Sequence, residues 1–195
     1  HKKSIDSKMK ILLIDTMHAS FSKTLQENGI EIVEGYHLSR EEILSSISEY
    51  SGIAIRSRFK LDASFLDAAA GSVKVIGRAG AGMENIDVKH ASKLGIQCVN
   101  APEGNRDAVG EHAIGMLLML MNHLRRADAE VRNGIWRREE NRGDELEGKT
   151  VGLIGFGNMG SAFARRLTGF GVRILVVDPY ITISKEKFPH VEQVD

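Results

Sequence analysis

One cysteine, Cys98, stands in 195 residues. A lone thiol excludes an intramolecular disulfide and a multi-cysteine metal site. It is consistent with a reducing compartment. An excess of either charge is absent too: Lys plus Arg number 26, Asp plus Glu number 26, and the formal net charge is zero. No broad basic field is there to hold a nucleic-acid backbone or an acidic membrane. A local basic pocket for a small anion stays open. Long apolar runs are missing as well. The longest, Ile114–Met121, is interrupted by Gly115 and is far too short to span a bilayer. The first ten residues are polar and charged, so no export signal is expected. His1–Lys8 reads as an appended segment ahead of a natural start at Met9. These absences leave a globular cytoplasmic protein, long enough for one sizeable core or two small ones.

What is present is a rhythm. Short apolar runs alternate with amphipathic stretches. Strands are expected at Lys10–Asp15, Ile30–Val33, Gly52–Ile55, Lys74–Ile76 and Gln97–Val99. Between them, helices are expected at Ser20–Asn28, after the capping box Ser39-Arg-Glu-Glu42, after Asp62, and over Val88–Leu94. Apolar strands alternating with helices imply a parallel sheet covered on both faces. The strand ends Arg56–Arg58 and Gly77–Gly82 then fall on one edge, where open sheets bind ligands.

Asn105–Arg126 breaks the rhythm and reads as one long helix. Val109, Ala113, Met116, Leu117, Leu120, Met121 and Leu124 cover more than half its circumference. Such a helix is buried on several sides, against another domain or another subunit. The charged stretch Asn133–Glu147 reads as an exposed connection pinned by Trp136. A second βαβ unit follows: strand Thr150–Ile154, helix Asn158–Thr168, strand Arg173–Val177. It leaves one flank of its sheet bare.

Gly155-Phe-Gly157-Asn-Met-Gly160 joins that strand to that helix. The first glycine permits a tight turn, the second a close approach of pyrophosphate, and the third close helix–strand packing. The helix end offers free amides and the positive end of its dipole to phosphate. Asp178 ends the next strand. Its carboxylate can accept both hydroxyl hydrogens of an adenosine ribose and would repel a 2′-phosphate, which favours NAD over NADP.

On the first edge, Arg56 and Arg58 flank Ser57, and two arginines there can grip a carboxylate or phosphate by forked hydrogen bonds. Arg78-Ala-Gly-Ala-Gly82 follows the next strand, and its small residues can expose an anion nest. A small acidic substrate explains both. Glu111 and His112 point about 100° apart on a helix and are not read as a catalytic pair. His112 is expected to be packed. The remaining histidines show no metal-ligand spacing, and no metal is expected.

Ile55-Arg-Ser-Arg58, Val75-Ile-Gly-Arg-Ala-Gly-Ala-Gly82 with Asn85-Ile-Asp87, Asn100-Ala-Pro-Glu-Gly-Asn105, Val109-Gly-Glu-His-Ala-Ile-Gly115, Leu146-Glu-Gly-Lys149 and the glycine fingerprint occur in this order. Together they resemble the D-isomer-specific 2-hydroxyacid dehydrogenase family, from about Met9 to about Pro189. The nearest branch is the one that oxidises 3-phosphoglycerate in serine biosynthesis. Glyoxylate and hydroxypyruvate reductases share most of these motifs.

The resemblance implies a flavodoxin-like parallel-sheet substrate domain over residues 9–100. The first half of a Rossmann NAD domain follows over 101–195. Arg56 and Ser57 would contact the acidic groups of the substrate, and the amides near Gly80 and Gly82 its carboxylate. Ala81 would lie beside the cofactor, the amides of Asn158 and Met159 against the pyrophosphate, and Asp178 on the ribose. The helix region 105–126 would form interdomain and homodimer contacts. In the family, a histidine takes the hydroxyl proton as hydride moves to the nicotinamide, assisted by a glutamate and an arginine. All three match positions beyond Asp195, so this chain is expected to be a piece of a longer protein and inactive alone. A non-catalytic dinucleotide-binding module is the competing expectation. One departure is Gly110, where the family usually has alanine.

Overall fold

A computed structural model describes residues 9–195. The expectation for His1–Lys8 lies outside the described residues. The chain divides into two compact units, one ending at Pro102 and one running Glu103–Asp195.

The first unit alternates β1 (Lys10–Leu13), α1 (Ala19–Glu27), β2 (Glu31–Glu34), α2 (Arg40–Ser46), β3 (Gly52–Ile55), α3 (Ala63–Ala69), β4 (Val75–Arg78), α4 (Val88–Lys93) and β5 (Gln97–Asn100). The strands form one parallel sheet in the order β2-β1-β3-β4-β5. This is the flavodoxin-like order, whose direction of winding reverses between β1 and β3. Alternation along β1 explains the two covered faces. Leu12 and Ile14 join Ile53, Ile55, Phe65 and Ile76 in one core, while Ile11 and Leu13 join Ala54 in the other.

Helix ends follow local chemistry. The Ser39 hydroxyl accepts from the Glu42 amide at 3.2 Å, and the Glu42 carboxylate accepts from the Ser39 amide at 2.7 Å. That reciprocal pair starts α2 where the capping box predicts. Asp62 caps α3 through the Phe65 amide at 3.0 Å, and Asp87 caps α4 through that of His90 at 3.0 Å.

The second unit contains α5 (Arg106–Met121), α6 (Leu124–Arg132), β6 (Thr150–Ile154), α7 (Asn158–Leu167), β7 (Arg173–Val177) and β8 (Val191–Gln193). Its three strands are parallel in the order β6-β7-β8. Leu153, Phe156, Ala164, Leu167, Ile174 and Val176 form its core. β6 has an unpaired edge among the described residues, and its Ile154 is 96% exposed. No helix among the described residues is long and apolar enough to cross a membrane.

Three expectations need correction. The single helix over 105–126 is two helices, broken at Asn122 and at His123, whose φ of 52° is left-handed. Two contacts account for the break. The Asn122 side chain donates to the Leu118 carbonyl at 3.1 Å, and the Met121 carbonyl accepts from the Asp144 amide at 2.9 Å. The helix end is thus satisfied by the connecting segment rather than by another turn. His112, expected to be packed, is exposed, and within this chain Val109, Met116, Leu120 and Leu124 of the apolar face are exposed with it. Trp136, expected to pin the connection, is 79% exposed.

Candidate functional site

Two loop regions carry the residues singled out by sequence, one in each unit. The first lies at the carboxyl ends of β1, β3 and β4. Asp15, just beyond β1, places its Oδ2 against the amides of Arg56 at 2.6 Å, Ser57 at 3.1 Å and Arg58 at 3.4 Å. The Arg56 carbonyl accepts from Arg78 Nε at 3.1 Å and from Asn85 Nδ2 at 3.4 Å. Asn85 Nδ2 also donates to the Phe59 carbonyl at 3.2 Å, and its Oδ1 is buried without a partner.

Arg58 departs from the role expected of it. Its guanidinium donates to the carbonyls of Ile14 at 3.2 Å, Gly35 at 3.2 Å and Leu38 at 2.9 Å. A fork filled by three main-chain acceptors ties the edge together and is not left to grip a substrate. Arg56 and Ser57 are exposed, and among the described residues their side chains have no hydrogen-bond partner.

The Gly80–Gly82 loop sits beside them. Ala79 donates to the Ile55 carbonyl at 2.9 Å and Gly80 to that of Arg78 at 2.9 Å. The Gly80 carbonyl accepts from the Ala101 amide at 3.0 Å, and that of Ala81 from Asn100 Nδ2 at 2.5 Å. Among the described residues the amides of Ala81 and Gly82 have no partner. The nest is therefore smaller than the motif suggests. The Glu84 carboxylate also lies where a Cβ on Gly82 would stand, so an acid of the chain already covers it.

The second region is the turn from β6 into α7. Gly155 adopts φ 92°, which side chains rarely allow, and a Cβ on Gly160 would collide with the Gly155 carbonyl oxygen. The N-cap residue Gly157 supplies no side-chain bond to α7. The amides of Asn158, Met159 and Gly160 thus start the helix without a partner of the i−4 kind and converge as an anion site. Asp178, just past β7, accepts from the Phe156 amide at 2.7 Å and the Tyr180 amide at 2.9 Å. The Phe156 amide, then that of Tyr180, holds its carboxyl below the usual carboxylate range, against the opposing effect of burial. The ionised form is therefore ready to accept hydroxyl hydrogens.

A cavity of about 490 Å³ opens beside this turn, lined among others by Gly157, Asn158, Ile183 and Phe188, with Arg165 and Lys187 as its cations. A groove of about 580 Å³ elsewhere in the second unit is lined by Met116, Met119, Leu120, His123, Arg125, Arg126 and Ala129. It shares no residue with the glycine turn, so chemistry rather than size selects the site. The turn fits a dinucleotide: its glycines are required by its geometry, its helix end is open, and its acid is ionised. Among the described residues no group of three His, Cys, Asp or Glu side chains could hold a metal ion.

Sequence reading gave no role to Asp15, and it named Arg78 and Asn85 only as parts of motifs, without a role for their side chains. A signal existed for Asp15. It follows an apolar strand at the carboxyl edge, as Asp178 does.

The comparisons with known proteins span both units of the chain. Residues 11–189 match the family described as D-isomer specific 2-hydroxyacid dehydrogenase, catalytic domain. The chain is 36% identical over 187 residues to a D-3-phosphoglycerate dehydrogenase of Archaeoglobus fulgidus, covering 96% of this chain and 35% of that protein. It is 39% identical over 147 residues to a hydroxypyruvate reductase of Thermotoga maritima, covering 75% of this chain and 48% of that one. A solved glyoxylate reductase from Paecilomyes thermophila superposes with a TM-score of 0.83 at 26% identity, covering 96% of this chain and 60% of that one. The chain spans about a third of the length of the D-3-phosphoglycerate dehydrogenases it matches. The order of its strands, the glycine turn with its acid, and these matches agree: the chain belongs to the D-isomer specific 2-hydroxyacid dehydrogenase family.

Proposed function

We propose that the protein oxidises the hydroxyl-bearing carbon of a D-2-hydroxy acid with NAD, and that 3-phosphoglycerate is its preferred acid, in the service of serine biosynthesis in the cytoplasm. The observation that carries the reading is the glycine turn at the open end of α7 with ionised Asp178 beside it. NAD, when bound, accepts the hydride. The amides of Asn158 and Met159 receive its pyrophosphate, Gly157 and Gly160 keep the turn free of side chains, and Asp178 takes the ribose hydroxyls. A negative carboxylate there disfavours a 2′-phosphate, which supports NAD over NADP.

In the first unit, Arg56 and Ser57 bind the acidic groups of the substrate. Among the described residues none is assigned as the base. Glu111 is paired with Arg166 at 3.2 Å, and His112 has no acid partner. The 195-residue chain alone is therefore expected to bind NAD without turning over a hydroxy acid.

A reductase acting on glyoxylate or hydroxypyruvate is the second reading, supported by relatives carrying those names. The deciding measurement is NADH absorbance with the whole encoded protein, offered 3-phosphoglycerate, D-glycerate, D-lactate and 2-hydroxyglutarate, with glyoxylate and hydroxypyruvate in the reverse direction. Preference for 3-phosphoglycerate supports the first reading. Turnover confined to the unphosphorylated acids replaces it with the second.

The exposed apolar side chains of α5 and α6, among them Leu120 at 71%, support a homodimer through this region. Molar mass by light scattering tests it, and a monomer across the accessible concentration range removes it.

A further inference from the structure

Asp15 sits where an open sheet of this order ordinarily receives a ligand, at the switch between β1 and β3. Three successive amides, those of Arg56, Ser57 and Arg58, converge on its Oδ2 at 2.6, 3.1 and 3.4 Å. Consecutive amides turned to one point form an anion receptor. Here the anion is the chain's own carboxylate, so these amides are not what meets a substrate.

The other side of the segment is held as well. Arg78 Nε and Asn85 Nδ2 donate to the Arg56 carbonyl, and the Arg58 guanidinium donates to carbonyls of three separate residues. With the three amides, the Arg56 carbonyl and the Arg58 guanidinium engaged, the side-chain groups of this turn left without a partner among the described residues are the Arg56 guanidinium and the Ser57 hydroxyl. They are adjacent in sequence, and their joint direction is set by the backbone that Asp15 holds.

We propose that Asp15 is a positioning residue for substrate recognition. Its carboxylate fixes the 56–58 turn so that Arg56 and Ser57 meet the acidic groups of a 2-hydroxy acid together, and it does not touch the substrate itself. The proposal rests on the reading of Arg56 and Ser57 as the substrate clamp. The charge matters because one oxygen serves three donors, and hydrogen bonds to an ionised acceptor are the stronger ones. A neutral carboxamide oxygen of the same size holds the turn less firmly.

The test is calorimetric titration of the whole protein with 3-phosphoglycerate, and separately with NAD. The variants are Asp15→Asn, Asp15→Ala and Arg56→Ala, with the Asp15→Ala titrations repeated in added formate. Asp15→Ala is expected to weaken 3-phosphoglycerate binding by about tenfold or more, and Asp15→Asn by less. NAD affinity stays within about twofold of the parent, as for changes remote from a site. Formate can occupy the vacated nest and recover part of the lost affinity in Asp15→Ala, which a merely structural defect would not show.

Should Asp15→Ala fold poorly, Asp15→Asn carries the test. The amide resonances of Arg56, Ser57 and Arg58 then report whether the nest has changed. Unaltered 3-phosphoglycerate affinity in a folded Asp15 variant, with Arg56→Ala still weakened, overturns the positioning role alone. Unaltered affinity in Arg56→Ala, or no binding to the parent protein, overturns the clamp and the positioning role with it.

Discussion

Asp15 and Asp178 are the same device, one in each unit of the chain. Each follows an apolar strand at the carboxyl edge of a parallel sheet, and each accepts from main-chain amides of a loop on the neighbouring strand. What surrounds them differs. Around Asp15 the amides and a carbonyl are engaged by side chains and the Arg58 guanidinium by main-chain carbonyls, which leaves the side chains of Arg56 and Ser57 without a partner among the described residues. Around Asp178 the first amides of α7 are free and the turn is shaped by glycines. One region is built by side chains that hold a backbone. The other is built by the absence of side chains, so that backbone can meet phosphate. A substitution that adds atoms should therefore be severe in the second region, and one that removes a charged group severe in the first.

The largest effect is expected from adding atoms at the glycine turn. In Gly160→Ala the new Cβ would fall on the Gly155 carbonyl oxygen, and Gly155 already sits at φ 92°. The turn must open or α7 must shift. Overpacking of this kind costs about 1–3 kcal/mol, so NAD affinity should drop at least about tenfold and the thermal midpoint should fall with it. NAD titration and thermal unfolding on the same sample check this. Full NAD affinity in Gly160→Ala would mean that the turn has room the geometry denies.

Asp178 sharpens the comparison from the other side, because its replacement removes a charge, and with it the acceptor of the Phe156 amide, rather than adding atoms to the turn. Asp178→Ser should weaken NAD by about tenfold and narrow the gap to NADP, since a charge-assisted acceptor for the ribose is lost. Both dissociation constants, measured at one salt concentration, decide it. The pH dependence follows from its lowered carboxyl. The stabilisation is fully present above the ordinary value of 3.8 and is lost as pH falls through the lower folded value. NAD affinity should accordingly stay flat through any Asp178 titration from neutral pH down to about 4. A loss of affinity centred between pH 5 and 6 would assign the grip to another group.

How legible this was differs along the chain in the same way. Strands Gly52–Ile55, Thr150–Ile154 and Arg173–Val177 were readable to the residue, because apolar runs bounded by charge and glycine admit few alternatives. The capping box at Ser39 and the glycine turn were readable because their chemistry is local. The break at Asn122–His123 was not. Its cause is the return of Asp144 to the Met121 carbonyl, a contact between residues far apart in sequence. Arg58 and Arg56 look equivalent as letters. Only the folded chain shows that one guanidinium faces three carbonyls while the other is without a partner among the described residues. Asp15 was visible as an acid at a strand end but lacked the glycine motif that drew attention to Asp178.

The smallest expected effect lies in the helix pair that carries the glycine turn. Gly110 is the one buried residue of α5. An added Cβ there would stand 3.1 Å from the carbonyl carbon and oxygen of Ala162 in α7 and 3.0 Å from Arg166 Nη1. Two terms oppose each other in Gly110→Ala. Helix propensity favours alanine by about 0.5–1 kcal/mol. Crowding disfavours it by about 1–3 kcal/mol, because two of the three nearest atoms are main chain and cannot swing away. Arg166 cannot yield freely either: its Nη1 donates to the Ala162 carbonyl at 3.0 Å, and its Nη2 pairs with Asp107 at 3.4 Å and Glu111 at 3.2 Å. The crowding term should win by about 1 kcal/mol, a fall of roughly 2–4 °C in the thermal midpoint for a chain of this size. NAD affinity should move far less than in Gly160→Ala, because α7 can slide against α5 without closing the turn at its start. A rise in the midpoint would show that α7 gives way to the methyl and that propensity, not the close approach, sets the stability of this pair.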